Sequence, residues 1–255
     1  MYDTFENQSN VVNAKEVGAK LSYAKVFLFF GLALLITAAV TIGVSSLLYY
    51  LVRFNPDTYY TASIVLMCVG GIGIFILPFI INIKAFKEGH SLVVPFVLYS
   101  ICMGLLLSGV VFAIENPYVI GIAFLITALM FLFLAGVGFF IGDKIGIFWT
   151  ILIGLMFAYF IMAMVNLFLL PFLFFGSEST YTYFVTFYWI VEAVFILILM
   201  IYVIIDINRL KKVINSGIVI HTNLALYFAT SLYTDFIYLF IRILYIVLYF
   251  VGRRD

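Results

Sequence analysis

Polarity along the chain alternates between long apolar runs and short polar breaks. The apolar runs fall at roughly 24–52, 60–83, 91–114, 118–141, 146–175, 183–210 and 222–250. Each reaches the length of about 20 residues that a hydrocarbon core about 30 Å thick demands of a helix. The breaks carry turn-forming or charged residues: Arg53-Phe54-Asn55-Pro56-Asp57, Lys84 to His90, Glu115-Asn116-Pro117, Gly142-Asp143-Lys144, Gly176-Ser177-Glu178-Ser179, and Arg209 to Asn223 around Asn215-Ser216-Gly217. The pattern predicts an all-α, polytopic integral membrane protein, a seven-transmembrane helix bundle. It divides into a polar tail over 1–23, a single transmembrane domain over 24–252 and a short tail over 253–255. The first tail has no apolar h-region, so the first span is expected to act as the insertion signal.

Composition sharpens this. Hydrophobic residues make up 66% of the 255 and charged residues only 10%. A soluble domain dresses its surface with about 25% charged residues. That deficit excludes a soluble enzyme, a disordered chain and a secreted disulfide scaffold. A net charge of +1 gives no field for a polyanion, so no nucleic-acid partner is expected. Cys68 and Cys102 lie inside apolar runs and read as small hydrophobes.

Orientation follows from the cations. Lys15, Lys20, Lys25, Lys84, Lys87, Lys144, Arg209, Lys211 and Lys212 fall on one side of the alternating breaks, and only Arg53 on the other. Nine against one places the amino terminus in the cytoplasm. Seven full crossings then put Arg253 and Arg254 on the opposite side, unless the last stretch does not fully cross.

An ionisable group inside a span costs about 2.5–3.5 kcal/mol on insertion scales and is a functional candidate by default. Four lie well inside apolar runs, all in the last two: Glu192, Asp206, Asp235 and Arg242. At about 1.5 Å per residue, Asp206 lies about 15 Å before the turn and Asp235 about 20 Å after it. Similar depth on antiparallel neighbours lets the carboxylates face each other. Two carboxylates in a dry site cannot both ionise cheaply, so such a pair holds a shared proton or a hard cation such as Ca²⁺. The plainer readings stay open: Asp206 as the end of its helix beside Lys211 and Lys212, and Asp235 as a structural hydrogen bond between helices. Arg242 lies on the face of Asp235, about 10.5 Å further along, and Glu192 falls near its depth. Either the two pair, or each snorkels to the interface.

The remaining polar features carry less. Gly70-Gly71-Gly73, Gly104 with Ser108-Gly109, and Ala135-Gly136-Gly138 permit close helix contact. Pro78, Pro95 and Pro171 predict kinks. His90 and His221 sit in breaks. No Gly-x-Ser-x-Gly elbow, His-x-x-x-His pair or Gly-x-x-x-x-Gly-Lys loop occurs, so neither enzyme activity nor a cofactor is expected.

The run from Asn223 to Phe240 reads NLALYFATSLYTDFIYLF. It resembles the carboxy-terminal signature of the Bax inhibitor-1 family, an Asn-Leu-Ala-Leu start followed by Ser-Leu-Tyr-x-Asp-Phe-Ile-x-Leu-Phe. Upstream, Tyr202 to Lys211 is similar to the family's Tyr-Asp-x-x-x-Ile-Lys stretch, with weaker echoes at Gly104 to Ser108, Thr127 to Phe131 and Asn166 to Phe168. The resemblance implies a seven-helix bundle with the last helix central and, in bacterial relatives, a pH-sensitive calcium leak. It assigns the ionisable dyad to Asp206 and Asp235. Relatives of the leak type carry a latch arginine near the end of the second helix. Here only Lys84 or Lys87 stands there, and a lysine cannot grip a carboxylate bidentately. Arg242 is a candidate to supply that cation from another direction.

The resulting expectation is a pH-sensitive calcium leak, or a Ca²⁺/H⁺ exchanger-like protein, gated by Asp206 and Asp235 as sensor and metal ligands. Ca²⁺ and H⁺ are its cargo and the bilayer its surroundings. A monomer is compatible with this, and a prokaryotic source would place it in the cell membrane. The alternative is a non-conducting membrane regulator that binds a protease or a stress or cell-death partner protein.

Overall fold

The computed structural model describes residues 2–85, 91–114, 117–169, 178–216 and 220–251, with side chains at 2–16, 56, 57, 60, 143, 166–169 and 178–184 left aside. In hydrocarbon every backbone N–H and C=O must be paired within the protein, and helices achieve this segment by segment. The helices are α1 (Tyr2–Phe54), α2 (Pro56–Lys84), α3 (Val93–Phe112), α4 (Pro117–Phe140), α5 (Ile145–Leu169), α6 (Glu178–Asn215) and α7 (Thr222–Val251), with a 3₁₀ turn at Gly142–Lys144. Among the described residues these seven are each long and apolar enough to cross a membrane, and no strand occurs. Outward faces carry large apolar side chains such as Phe75, Phe79, Phe133 and Phe157, each more than two-thirds exposed, as a lipid-facing surface requires.

Helix ends depart from the hydropathy pattern in an instructive way. The polar stretch before the first span is helical from Tyr2, and α6 continues past position 210 through Lys211 and Lys212 to Asn215. Lysine and arginine are good helix formers, so polarity ends the span there before it ends the helix. Asn55 caps α2 by accepting from the Thr58 N–H at 3.4 Å, with Pro56 at the first helical position.

The helices pack as two compact units. One comprises residues up to Ile120 together with Leu210–Thr234, the other Gly121–Arg209 together with the chain from Asp235. In the first unit, α1 and α2 both pack along α3. Thr37, Thr41 and Ser45 donate to the carbonyls of Ser100, Gly104 and Ser108 at 3.0, 3.1 and 3.0 Å. Positions rise together by four on both helices, so α1 and α3 run parallel. Their close approach rests on Gly104, where a Cβ would stand 2.8 Å from Val40 Cβ and 2.9 Å from the Thr37 carbonyl. The first part of α7 belongs here too: Tyr233 shares a hydrogen bond with Thr37, and Tyr99 one with Thr234 at 2.9 Å. Asn223, which opens the α7 signature, accepts from the Leu92 N–H at 3.3 Å and so satisfies a donor at the start of α3.

In the second unit α5 and α6 meet through Leu152, Ile198 and Ile205, all buried. Against α4, α6 comes close enough that a Cβ on Gly138 would stand 2.6 Å from the Ile204 carbonyl. Two residues past the end of α4, Gly142 has a φ of 61°, a left-handed conformation that glycine adopts without cost. Asn208 of α6 donates its amide to the Gly138 and Gly142 carbonyls at 3.2 and 3.1 Å, pairing groups that a helix end leaves unsatisfied.

Candidate functional site

Asp206 lies nine residues before the end of α6, and Asp235 thirteen residues into α7. Both are buried, with 7% and 8% of their surface exposed. Each is therefore an ionisable group inside a span and out of water, the arrangement that is hardest to maintain without a function.

Their surroundings differ. Oδ1 of Asp206 has Arg209 Nη1 at 3.8 Å, one turn further along α6. Asp235 has a buried Oδ2 with no hydrogen-bond partner among the described residues. The two carboxylates lie within coulombic reach of each other and of the Tyr202 hydroxyl. One buried acid has a cation alongside, and the other has a vacant acceptor. Placing both in charged form costs desolvation twice and adds mutual repulsion. The arrangement suits one net charge, with a proton or a cation supplying the balance.

No third His, Cys, Asp or Glu joins them in a metal-binding group among the described residues. Calcium takes six to eight oxygens, and two carboxylates offer at most about four.

Arg242 and Glu192 meet: the guanidinium bonds Glu192 Oε1 and stacks over the Phe195 ring, 4.4 Å from its centroid. The same Oε1 accepts from the Tyr188 hydroxyl at 3.0 Å. Arg242 is thus engaged at Glu192, and Arg209 is a cation that stands beside Asp206. Lys84 sits in the last turn of α2, in the first unit, and Lys87 lies outside the described residues. His90, Pro171, Gly217, Arg253 and Arg254 also lie outside them.

Three residues that shape this neighbourhood carry little signal in the sequence. Arg209 reads as a loop cation because hydropathy falls off there. Tyr202 is one aromatic among many. Asn208 shows its role only once α4 is placed against it.

Over residues 20–252 the chain matches the family model described as "Inhibitor of apoptosis-promoting Bax1". No curated protein and no solved structure matches it. The match takes in residues of all seven spans and contains both buried aspartates, and the chain belongs to the Bax inhibitor-1 family.

Proposed function

We propose that this protein lets Ca²⁺ cross the bilayer down its gradient in a pH-dependent way, with Asp206 and Asp235 as the proton-sharing gate. The observation that carries the reading is the buried Oδ2 of Asp235, without a hydrogen-bond partner among the described residues and within coulombic reach of a second buried carboxylate. Family membership supports it. Arg209 marks Asp206 as the member that keeps its charge, which leaves the exchangeable proton to Asp235. Binding or losing that proton changes the charge of a dry site. It thereby biases the helix packing that accommodates the new charge. The protein acts as a transporter and not as an enzyme, and the cation distribution supports a cytoplasmic amino terminus.

The test is calcium flux into liposomes holding purified protein and a calcium-sensitive dye, followed across pH beside Na⁺ and K⁺. The wild type should pass Ca²⁺ with a pH-dependent rate, and Asp235→Asn should flatten that dependence. An Asp235→Asn protein that keeps the wild-type pH curve removes the dyad as sensor. Absence of flux for every ion, with a membrane protein co-purifying, would favour the non-conducting regulator.

A further inference from the structure

A cavity of about 380 Å³ opens between α6 and α7 beside the Glu192–Arg242 pair, walled by Tyr188, Trp189, Tyr245 and Tyr249. Glu192 is about 27 Å from position 210, where the apolar run of α6 ends, and Arg242 about 30 Å from the start of α7. That distance is close to one hydrocarbon thickness, which puts the cavity at the interface opposite the α6–α7 turn. Four tyrosine and tryptophan rings at that level are what the headgroup boundary selects.

The polar groups are incompletely used. Glu192 is only 8% exposed, and its Oε1 takes both Arg242 and the Tyr188 hydroxyl. Oε2 is buried without a hydrogen-bond partner among the described residues. A buried carboxylate oxygen left empty is costly, and it calls for a donor. Arg242 bonds Glu192 through Nη1, its side chain stays 29% exposed, and a guanidinium has five N–H donors. One wall therefore needs an N–H donor, and the other offers donors to an anion. The aromatic faces between them attract a cation.

We infer that this cavity binds the headgroup of a phospholipid bearing a primary ammonium, with the phosphate on Arg242 and the ammonium on the Glu192 carboxylate, whose side chain keeps 10% of its surface exposed and turns Oε2 to the ligand on binding. A quaternary ammonium has no N–H to fill Oε2, and a glycerol headgroup brings no cation to the aromatic wall. The chemistry thus selects phosphatidylethanolamine over phosphatidylcholine and phosphatidylglycerol. This inference is independent of the dyad and holds whether or not Asp206 and Asp235 pass calcium.

Native mass spectrometry of the detergent-purified protein, titrated with each of the three lipids, reads lipid retention directly. Wild type should retain one phosphatidylethanolamine about tenfold or more better than the other two, the range for a charge-assisted hydrogen bond. Glu192→Gln should abolish the preference. Trp189→Leu, which leaves the ion pair intact, should weaken phosphatidylethanolamine binding if Glu192→Gln fails to fold. Equal retention of the three lipids overturns the inference, as does a preference unchanged in the folded variants. Soluble phosphoethanolamine that displaces the lipid at equal concentration would assign the site to a free solute and overturn it as a lipid site.

Discussion

Arg209 Nη1 stands 3.8 Å from Asp206 Oδ1, one turn further along α6, with the arginine side chain about half exposed. Exposure on that scale lets water and salt screen the contact, which limits it to a modest bias. Arg209→Gln should therefore preserve calcium flux but move its pH midpoint upward by a fraction of a unit. The sign follows from the charge: without the guanidinium the carboxylates are harder to ionise, so protons leave only at higher pH. Liposome flux across pH measures it, and a midpoint moving downward would contradict the assignment.

Glu192 and Arg242 form an ion pair with one partner largely buried. Removing either alone leaves an unpaired charge in a span, whereas removing both leaves none. In a double-mutant cycle, Glu192→Gln with Arg242→Gln should be less damaging than the sum of the singles, by about 1–3 kcal/mol. Thermal unfolding in detergent gives the four values. Additive losses would mean that the pair contributes no coupling.

Glycines at two helix crossings should resist even one added carbon. Gly104→Ala drives Cβ to 2.8 Å from Val40 Cβ, and Gly138→Ala to 2.6 Å from the Ile204 carbonyl. Overpacking of this kind costs about 1–3 kcal/mol. Gly121→Ala, with nothing within 4 Å, is the control and should unfold like the wild type.

Asn208 donates to two carbonyls at the end of α4. Asn208→Leu removes both bonds and should cost about 1–3 kcal/mol. Asn208→Asp should be worse at neutral pH, since a carboxylate cannot donate and adds a further negative charge two residues from Asp206. That defect should lessen as pH falls, because the protonated acid regains one donor and loses the charge. Unfolding temperatures of the two variants at pH 5 and pH 8 would show whether they converge, those pH values being on the order of the range where buried acids titrate.

Much of this was legible from one sequence. The spans follow because lipid demands uninterrupted apolar runs, and the chain punctuates them with Asn55-Pro56, Asn116-Pro117 and Gly142. Asp235 stands out because it interrupts such a run between Tyr233 and Phe236. Depth arithmetic brings Glu192 to Arg242, since the rise per residue is the same on both helices. Arg209 was hidden for a related reason: hydropathy measures where lipid ends, and α6 outlasts it by several residues. Thr37, Thr41 and Ser45 were invisible because a hydroxyl among apolar neighbours can bond its own helix equally well. Which helix it faces depends on register between helices, which no single-helix periodicity contains.

That register has a mechanical corollary. Hydroxyls on α1 and carbonyls on α3 repeat at the same pitch, so a slide of one turn, about 5.4 Å, would let all three bonds re-form on the carbonyls one turn along α3. Hydrogen bonding alone would tolerate a ratchet. Val40 removes that freedom, because Gly104 is the notch into which it fits. One turn either way sets it against the Cβ of Ser100 or Ser108. A single missing methyl thus turns a sliding rail into a detent, and holds the two parallel helices at one stop.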